Sequence, residues 1–333
     1  MQQQADGGLQ RYRAPWWLPG GNAQTIWAAT LSRRHPDGQH LPRYVRERWD
    51  TPDGDFIDVD HAHGVTAASA RHLVLFHGLE GTSESQYSQA FAHAARARGW
   101  GYSVPHFRGC SGQINRAPRA YHSGDFEEIG WILSTLRKRT AAPLLVVGVS
   151  LGGNALLRWA EEAGDSARAT AAAVAAVCSP IDMAAAGKAI DSGFNRLVYA
   201  RMFLATMKPR AMAKWAQYPG LFDRDKVAAA RTIFEFDDVF TGPLHGYSGT
   251  RDYWARASAL PHLSAIRVPA LVVHAVNAPC VPAASWPPAG RIGRDVELWR
   301  PLHGGHVGFP QGPFPSRVGV MPNAVCDWLA AHL

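Results

Sequence analysis

Apolar and polar positions along this chain follow two periods in turn. Arg43 to Asp50 (RYVRERWD) and Asp55 to His63 (DFIDVDHAH) alternate with period two on either side of Thr51-Pro52-Asp53-Gly54, which predicts an antiparallel hairpin. Beyond it, short apolar runs alternate with stretches of helical period. RHLVLFHG (71–78), GYSVPHFRG (101–109), PLLVVGVS (143–150), ATAAAVAAVCSP (169–180), VPALVVHA (268–275) and DVELWRPL (295–302) read as strands. QYSQAFAHAARARGW (86–100) places Tyr87, Ala90, Phe91 and Ala94 on one helical face and stops at Gly99. DFEEIGWILSTLRKR (125–139), LGGNALLRWAEEAG (151–164) and AVCDWLAAHL (324–333) read as further helices. Buried strands alternating with helices predict a mostly parallel eight-stranded sheet with helices on both faces. Asp182 to Leu263, between the sixth and seventh strands, far exceeds a crossover and is mainly helical in pattern. It is expected to form a mobile cap inserted in a single α/β domain, over the sheet end where open α/β sheets bind ligands. Phe234, Phe236, Tyr247 and Trp254 are its expected apolar lining.

Composition narrows the class. With 47% hydrophobic and 18% charged residues in 333, the chain has the balance of a packed globular enzyme. No apolar run reaches the length of a membrane span. The N-terminal MQQQADGGLQRYRAPWW lacks the apolar stretch of a signal peptide, so a cytoplasmic protein is expected. Four scattered cysteines, Cys110, Cys178, Cys280 and Cys326, form neither a zinc ribbon nor a disulfide framework. The net charge of +7 is spread out, and its densest stretch, Arg43 to Arg48, falls on the wet face of a strand, which argues against nucleic-acid binding. Most of the twelve tryptophans are expected in the core or around a pocket; Trp16 and Trp17 also suit a lipid surface.

The chemistry concentrates in a few glycine-rich turns. Gly148 to Gly153 (GVSLGG) satisfies G-x-S-x-G between a strand and a helix, the context in which such a turn pushes a serine hydroxyl out above the sheet. Ser150 is the expected nucleophile. Nucleophile-first order places the general base after the last strand, where PLHGGHVGF offers His306 and, as the alternative, His303. Activity carried by that base should rise with pH through the imidazole pKa, near 6.5 when unperturbed. LFHGLEG (75–81) follows the third strand with a His-Gly turn, so the amides of Leu79 and Leu151 are the expected oxyanion donors.

These motifs resemble the YheT-like branch of the α/β-hydrolase fold. The resemblance runs from PWWLPGGNAQT to HGGHVGF and includes HFRGCSG, NRAPRAYHSGD, GVSLGGN and FDDVFTGPLHGYSGTRDYW. It implies a Ser-Asp-His hydrolase with a helical cap, acting on carboxylic esters or lipids, with its nucleophile at Ser150 and its histidine at His306. The chain departs from the family at the seventh-strand loop, usually A-x-D-D-P, which supplies the acid. Here it reads Ala275-Val276-Asn277-Ala278-Pro279, with both aspartates gone, and Asn22 stands where the family often has histidine.

Three arrangements are open for the second nitrogen of His306: Asn277, whose side-chain oxygen can accept the imidazole N–H; Asp182, which also suits the N-cap of the helix beginning MAAAGKA; or water. Two classes of function follow. One is a serine esterase on a small-molecule ester or lipid-like substrate, in which loss of the acid weakens the site without removing it. The other is a catalytically degenerate hydrolase that binds an acyl ligand or a partner. Nothing suggests a metal or organic cofactor, and oligomeric state is not legible.

Overall fold

The computed structural model describes residues 9–33, 41–63, 70–287 and 290–333. Eight strands, β1 (Tyr44–Asp50), β2 (Phe56–Ala62), β3 (His72–Phe76), β4 (Gly101–Pro105), β5 (Leu144–Val149), β6 (Ala173–Val177), β7 (Ala270–Val273) and β8 (Val296–Trp299), form one sheet in the order β1-β2-β4-β3-β5-β6-β7-β8. The expected hairpin is present, with Asp50 opposite Phe56 and Tyr44 opposite Ala62. β2 joins β4 antiparallel, and the strands from β4 to β8 run parallel. In the hairpin Arg46 and Arg48 face Asp60 and Asp58 across the ladder and pair with them at 2.7 and 2.8 Å. The densest basic stretch of the chain is thus partly neutralised within its own hairpin.

The inner strands from β4 to β7 are buried throughout and mostly apolar because both faces are covered. Successive side chains point to opposite faces, so Leu73 and Leu75 meet Phe91 and Trp328 in one layer while Val74 and Phe76 meet Ile129, Leu133 and Leu156 in the other. The first layer contains α2 (Gln86–Ala97) and the last helix, Val320–Ala331; the second contains α3 (Phe126–Arg139) and α4 (Leu151–Ala163). The last helix begins at Val320 rather than the expected Ala324. Pro322 falls in its first turn, where a missing N–H costs nothing.

The expected insertion is present between β6 and β7. Helices Met183–Ile190, Arg201–Gln217, Arg224–Ala229 and Thr250–Ala257 enclose their own apolar core, with Leu204, Met207, Val227, Phe240 and Trp254 among its members. Polar contacts fix the insertion to the body. Lys214 Nζ donates to the carbonyls of Asn115 and Ala117 at 2.6 and 2.8 Å. Tyr253 Oη accepts from the Ser123 amide at 2.8 Å, and a ring nitrogen of His245 donates to the Ala120 carbonyl.

One buried ion group ties the hairpin to the helical layer beneath. Arg108, in the loop after β4, donates to Asp55 at 2.7 Å and Asp53 at 2.9 Å and also pairs with Glu128 of α3. Removing only the cation leaves buried carboxylates uncompensated, a loss of about 3–5 kcal/mol. Arg108→Met should therefore lower the urea midpoint by an amount equivalent to at least about 3 kcal/mol. A shift below about 1 kcal/mol would show that solvent takes over the arginine's role.

Candidate active site

Ser150 is the single residue between the end of β5 and the start of α4, with φ 52° and ψ −119°. Such a conformation costs a residue with a Cβ on the order of 1–3 kcal/mol and persists only where its surroundings enforce it. Here the Ser150 amide donates to the Val177 carbonyl at 2.8 Å, pinning the turn to β6. Gly152 then lets α4 settle on the end of β3, since a Cβ there would lie 2.4 Å from the His77 carbonyl oxygen. The hydroxyl is left facing a pocket.

His306 Nε2 lies 3.0 Å from Ser150 Oγ. His303, the alternative, is exposed on the same loop and does not line the pocket. Three successive amides of the loop are each taken by a side chain. Gly304 N donates to Gln24 Oε1 at 2.8 Å, Gly305 N to Asn277 Oδ1 at 2.9 Å, and His306 N to Thr25 Oγ1 at 2.8 Å. Asn277 Nδ2 closes the set by donating to Gln24 Oε1 at 2.9 Å. Gln24 and Thr25 sit on α1 (Gly20–Thr30), whose Gly21 is so close that a Cβ would stand 1.7 Å from the Asn277 carbonyl oxygen. Sequence reading passed over Gln24 and Thr25. They lie within GGNAQT, some 280 residues from the loop they hold, and no local pattern announces a contact of that range. Asn22, in the same segment, accepts from Tyr199 Oη of the cap at 2.8 Å.

Neither residue considered for the acid role reaches His306. Its Nδ1 is buried without a hydrogen-bond partner among the described residues. Asn277 instead spends its oxygen on Gly305 and its amide on Gln24, and the backbone requirement of the loop takes precedence over the imidazole. Asp182 caps the helix Met183–Ile190, accepting from Ala185 N at 3.0 Å. Burial, with a smaller contribution from nearby His274, lowers the His306 pKa to about 4.

The opposite wall is built around His77. Its Nδ1 donates to the Gly78 carbonyl at 2.8 Å while its Nε2 accepts from Phe107 N at 3.1 Å, so burial keeps it neutral with a pKa near 3. Gly78 N donates to Tyr87 Oη at 2.9 Å. These bonds set the path of the chain into Leu79. As the first residue of α4, Leu151 has one of the N–H groups that a helix leaves without an internal acceptor. Leu79, Leu151, Ser150 and His306 all line one pocket of about 1140 Å³, open mouth included.

Beyond the serine that pocket is walled by the insertion, with Met183, Ile190, Met207, Phe236, Phe240 and Trp254. Phe236 and Trp254 thus line it as expected. Phe234 and Tyr247 do not: Phe234 packs edge-on against Trp254, and Tyr247 lies against Tyr253 and His122. Arg210 of the helix Arg201–Gln217 donates to Glu80 at 3.0 Å, joining the insertion to the residue after Leu79. Asp237, also in the pocket wall, accepts from Trp254 Nε1 at 2.8 Å, and burial pushes its pKa up to about 7. Among the described residues no group of three or more His, Cys, Asp or Glu is disposed to hold a metal ion.

Fold and serine turn together define an α/β hydrolase. The family model for the alpha/beta hydrolase fold matches residues 71–313, and the chain belongs to that family. It is 38% identical over 308 residues to "Putative esterase YheT" of Escherichia coli, covering 88% of this chain and 89% of that one, which places it in the YheT-like branch. It is also 27% identical to bovine "Phospholipase ABHD3" over 93% of this chain and 78% of the relative. Among solved structures, Est1E from Butyrivibrio proteoclasticus superimposes with a TM-score of 0.53 at 13% identity, over 88% of this chain and 99% of that one.

Two outcomes follow from this geometry. With the imidazole neutral above pH 4 or so, kcat/KM for an ester should be level between about pH 6 and 8 and fall only below about pH 5. An acid limb near 6.5 would show that the ring is not desolvated. Removing the Thr25 acceptor leaves the His306 amide unpaired, so Thr25→Val should reduce kcat by roughly tenfold or more with little change in KM, whereas Thr25→Ser should retain kcat. Equal losses in both variants would place Thr25 outside the positioning of His306.

Proposed function

We propose that this chain is a serine hydrolase of carboxylic esters that forms an acyl-enzyme on Ser150. The observation that carries the proposal is the 3.0 Å approach of His306 Nε2 to the hydroxyl of a serine held in a strained strand-to-helix turn. Ser150 attacks the ester carbonyl as His306 Nε2 takes its proton. The amides of Leu79 and Leu151 receive the oxyanion, and the imidazolium then returns its proton to the leaving alcohol. A water activated by the same nitrogen hydrolyses the acyl-enzyme. The apolar wall of the insertion suits an acyl chain, in keeping with the esterase and phospholipase names of the relatives.

The step that suffers is formation of the imidazolium. Among the described residues its Nδ1–H has no acceptor and no carboxylate offsets its charge, so the buried base is weak. An Asp-to-Asn change in a serine triad costs about 10⁴ in kcat, which sets the scale of the deficit. The orphan nitrogen also favours the second reading, an acyl-binding protein without turnover. A fluorophosphonate distinguishes the two: labelling that Ser150→Ala abolishes supports the hydrolase, and absence of labelling in the folded wild type supports the binding protein.

The loop network also separates the two vacated acid positions. At Asn277 a carboxylate would still accept from Gly305 N but would turn its second oxygen onto Gln24 Oε1, itself an acceptor. Gln24 cannot rotate to compensate, because its Nε2 already donates to the Leu18 carbonyl at 3.0 Å. Asn277→Asp should therefore leave kcat unchanged or lower. Ala278→Asp should raise kcat and move the acid limb of the pH profile upward, since a new carboxylate beside an imidazole raises its pKa. Asp182→Ala should lose about 1 kcal/mol of stability with kcat retained. A large loss of kcat in Asp182→Ala would restore Asp182 as the acid.

A further inference from the structure

One face of α1 holds the histidine loop, and its other side carries an aromatic surface. Trp17 and Trp27 pack edge to face at 5.2 Å between ring centroids, and Phe314 packs tilted against both at 5.6–5.7 Å. Trp27 Nε1 donates to the Pro315 carbonyl at 2.8 Å, which fixes the ring cluster to the loop after His306. Trp17 and Trp27 are half-buried, Phe314 over them is 72% exposed, and Trp16, next to Trp17 in the chain, is 91% exposed, the most of any described large apolar side chain. Leu31, at the end of α1, and Leu302, before the histidine loop, are exposed as well. Single exposed apolar residues need no explanation, but a cluster of rings held rigidly at the surface does.

The segment that leads into it is basic. Residues 9–19, which run into Trp16 and Trp17, contain Arg11 and Arg13 and neither Asp nor Glu. Arg11 and Arg13, just ahead of Trp16, are exposed. Rings at the surface beside arginines match the two halves of a bilayer interface. Indoles settle at the level of the headgroups, and each nearby arginine gains from anionic lipid. A second copy of the chain would instead bring these arginines against themselves, so the charge pattern disfavours self-association through this face.

We propose that the surface formed by Trp16, Trp17, Trp27 and Phe314, with Arg11 and Arg13 beside it, docks the protein on an anionic lipid bilayer. Docking is peripheral: no described helix is long and apolar enough to cross a membrane. The proposal is independent of Ser150, and its test uses the 333-residue chain carrying Ser150→Ala so that binding is read without turnover.

The experiment is co-sedimentation with vesicles of phosphatidylcholine alone and of phosphatidylcholine mixed with phosphatidylglycerol, at low and high salt. The protein should bind the mixed vesicles and release as salt rises. Trp16→Ala combined with Phe314→Ser should weaken binding roughly tenfold or more, and Arg11→Glu with Arg13→Glu should abolish the preference for phosphatidylglycerol. Trp16 makes no ring contact that the cluster needs, so Trp16→Ala alone serves as the variant safest for folding, checked by circular dichroism. Failure to sediment with either vesicle, or binding unchanged by Trp16→Ala and by the double aromatic variant, would overturn the proposal. So would a dimer in lipid-free size-exclusion chromatography that the double variant dissociates, which would assign the surface to self-contact.

Discussion

The site depends on how the backbone of residues 304–306 is held. Three consecutive amides there point away from any regular ladder, and a buried amide without an acceptor costs about 1–3 kcal/mol. Gln24, Asn277 and Thr25 each answer one of them, and Asn277 and Gln24 also bond to each other. The consequence is geometric as well as energetic. Because the amides leading into His306 are on fixed bonds, the imidazole reaches Ser150 although no described residue grips its second nitrogen. In a complete triad the acid orients the ring and offsets its charge. Here orientation has passed to the backbone, and the electrostatic part is unfilled.

That division decides what the site can do. Proximity alone contributes much to catalysis when reacting atoms are held near 3 Å, and in the proposed reaction the amides of Leu79 and Leu151 act whether or not an acid is present. Charge stabilisation is different, because taking an imidazolium out of water without a counter-ion is penalised by the same burial that lowers the His306 pKa. The balance is a ground state arranged for attack with a costly proton transfer. Nearby His274 adds to the penalty, since its own positive charge would oppose an imidazolium at His306, and burial holds it neutral with a pKa near 4.

Much of this architecture was legible from pattern. Period-two and continuous apolar runs located every strand because both faces of the inner sheet are covered, and G-x-S-x-G located Ser150 because the turn needs those glycines. What escaped depends on geometry that no local pattern carries. Of the four aromatics expected to line the pocket, Phe236 and Trp254 do so and Phe234 and Tyr247 do not. Phe234 shares the short helix Ile233–Phe236 with Phe236 but faces Trp254, and Tyr247 lies in the loop before Thr250–Ala257, where no period assigns a face. Asn277 was legible as the residue at the acid's place, but not as one whose side chain is claimed by a backbone amide. Gln24 and Thr25 were invisible in role because only the folded chain brings α1 to the loop.

α1 ends up linking features that the sequence scatters. Its inner face meets the histidine loop, Asn22 at its start holds Tyr199 of the insertion, and its outer face contributes to the aromatic surface. Gly21 makes this possible by letting the helix lie against the Asn277 carbonyl. A helix placed in this way has little freedom to shift alone: displacing it would break the Gln24 and Thr25 bonds together and release the loop that positions His306. The outer face is tied to the same loop a second time, through the bond from Trp27 Nε1 to the Pro315 carbonyl. The histidine loop is therefore held from both sides of a short helix that is itself fixed by polar contacts and one close glycine approach.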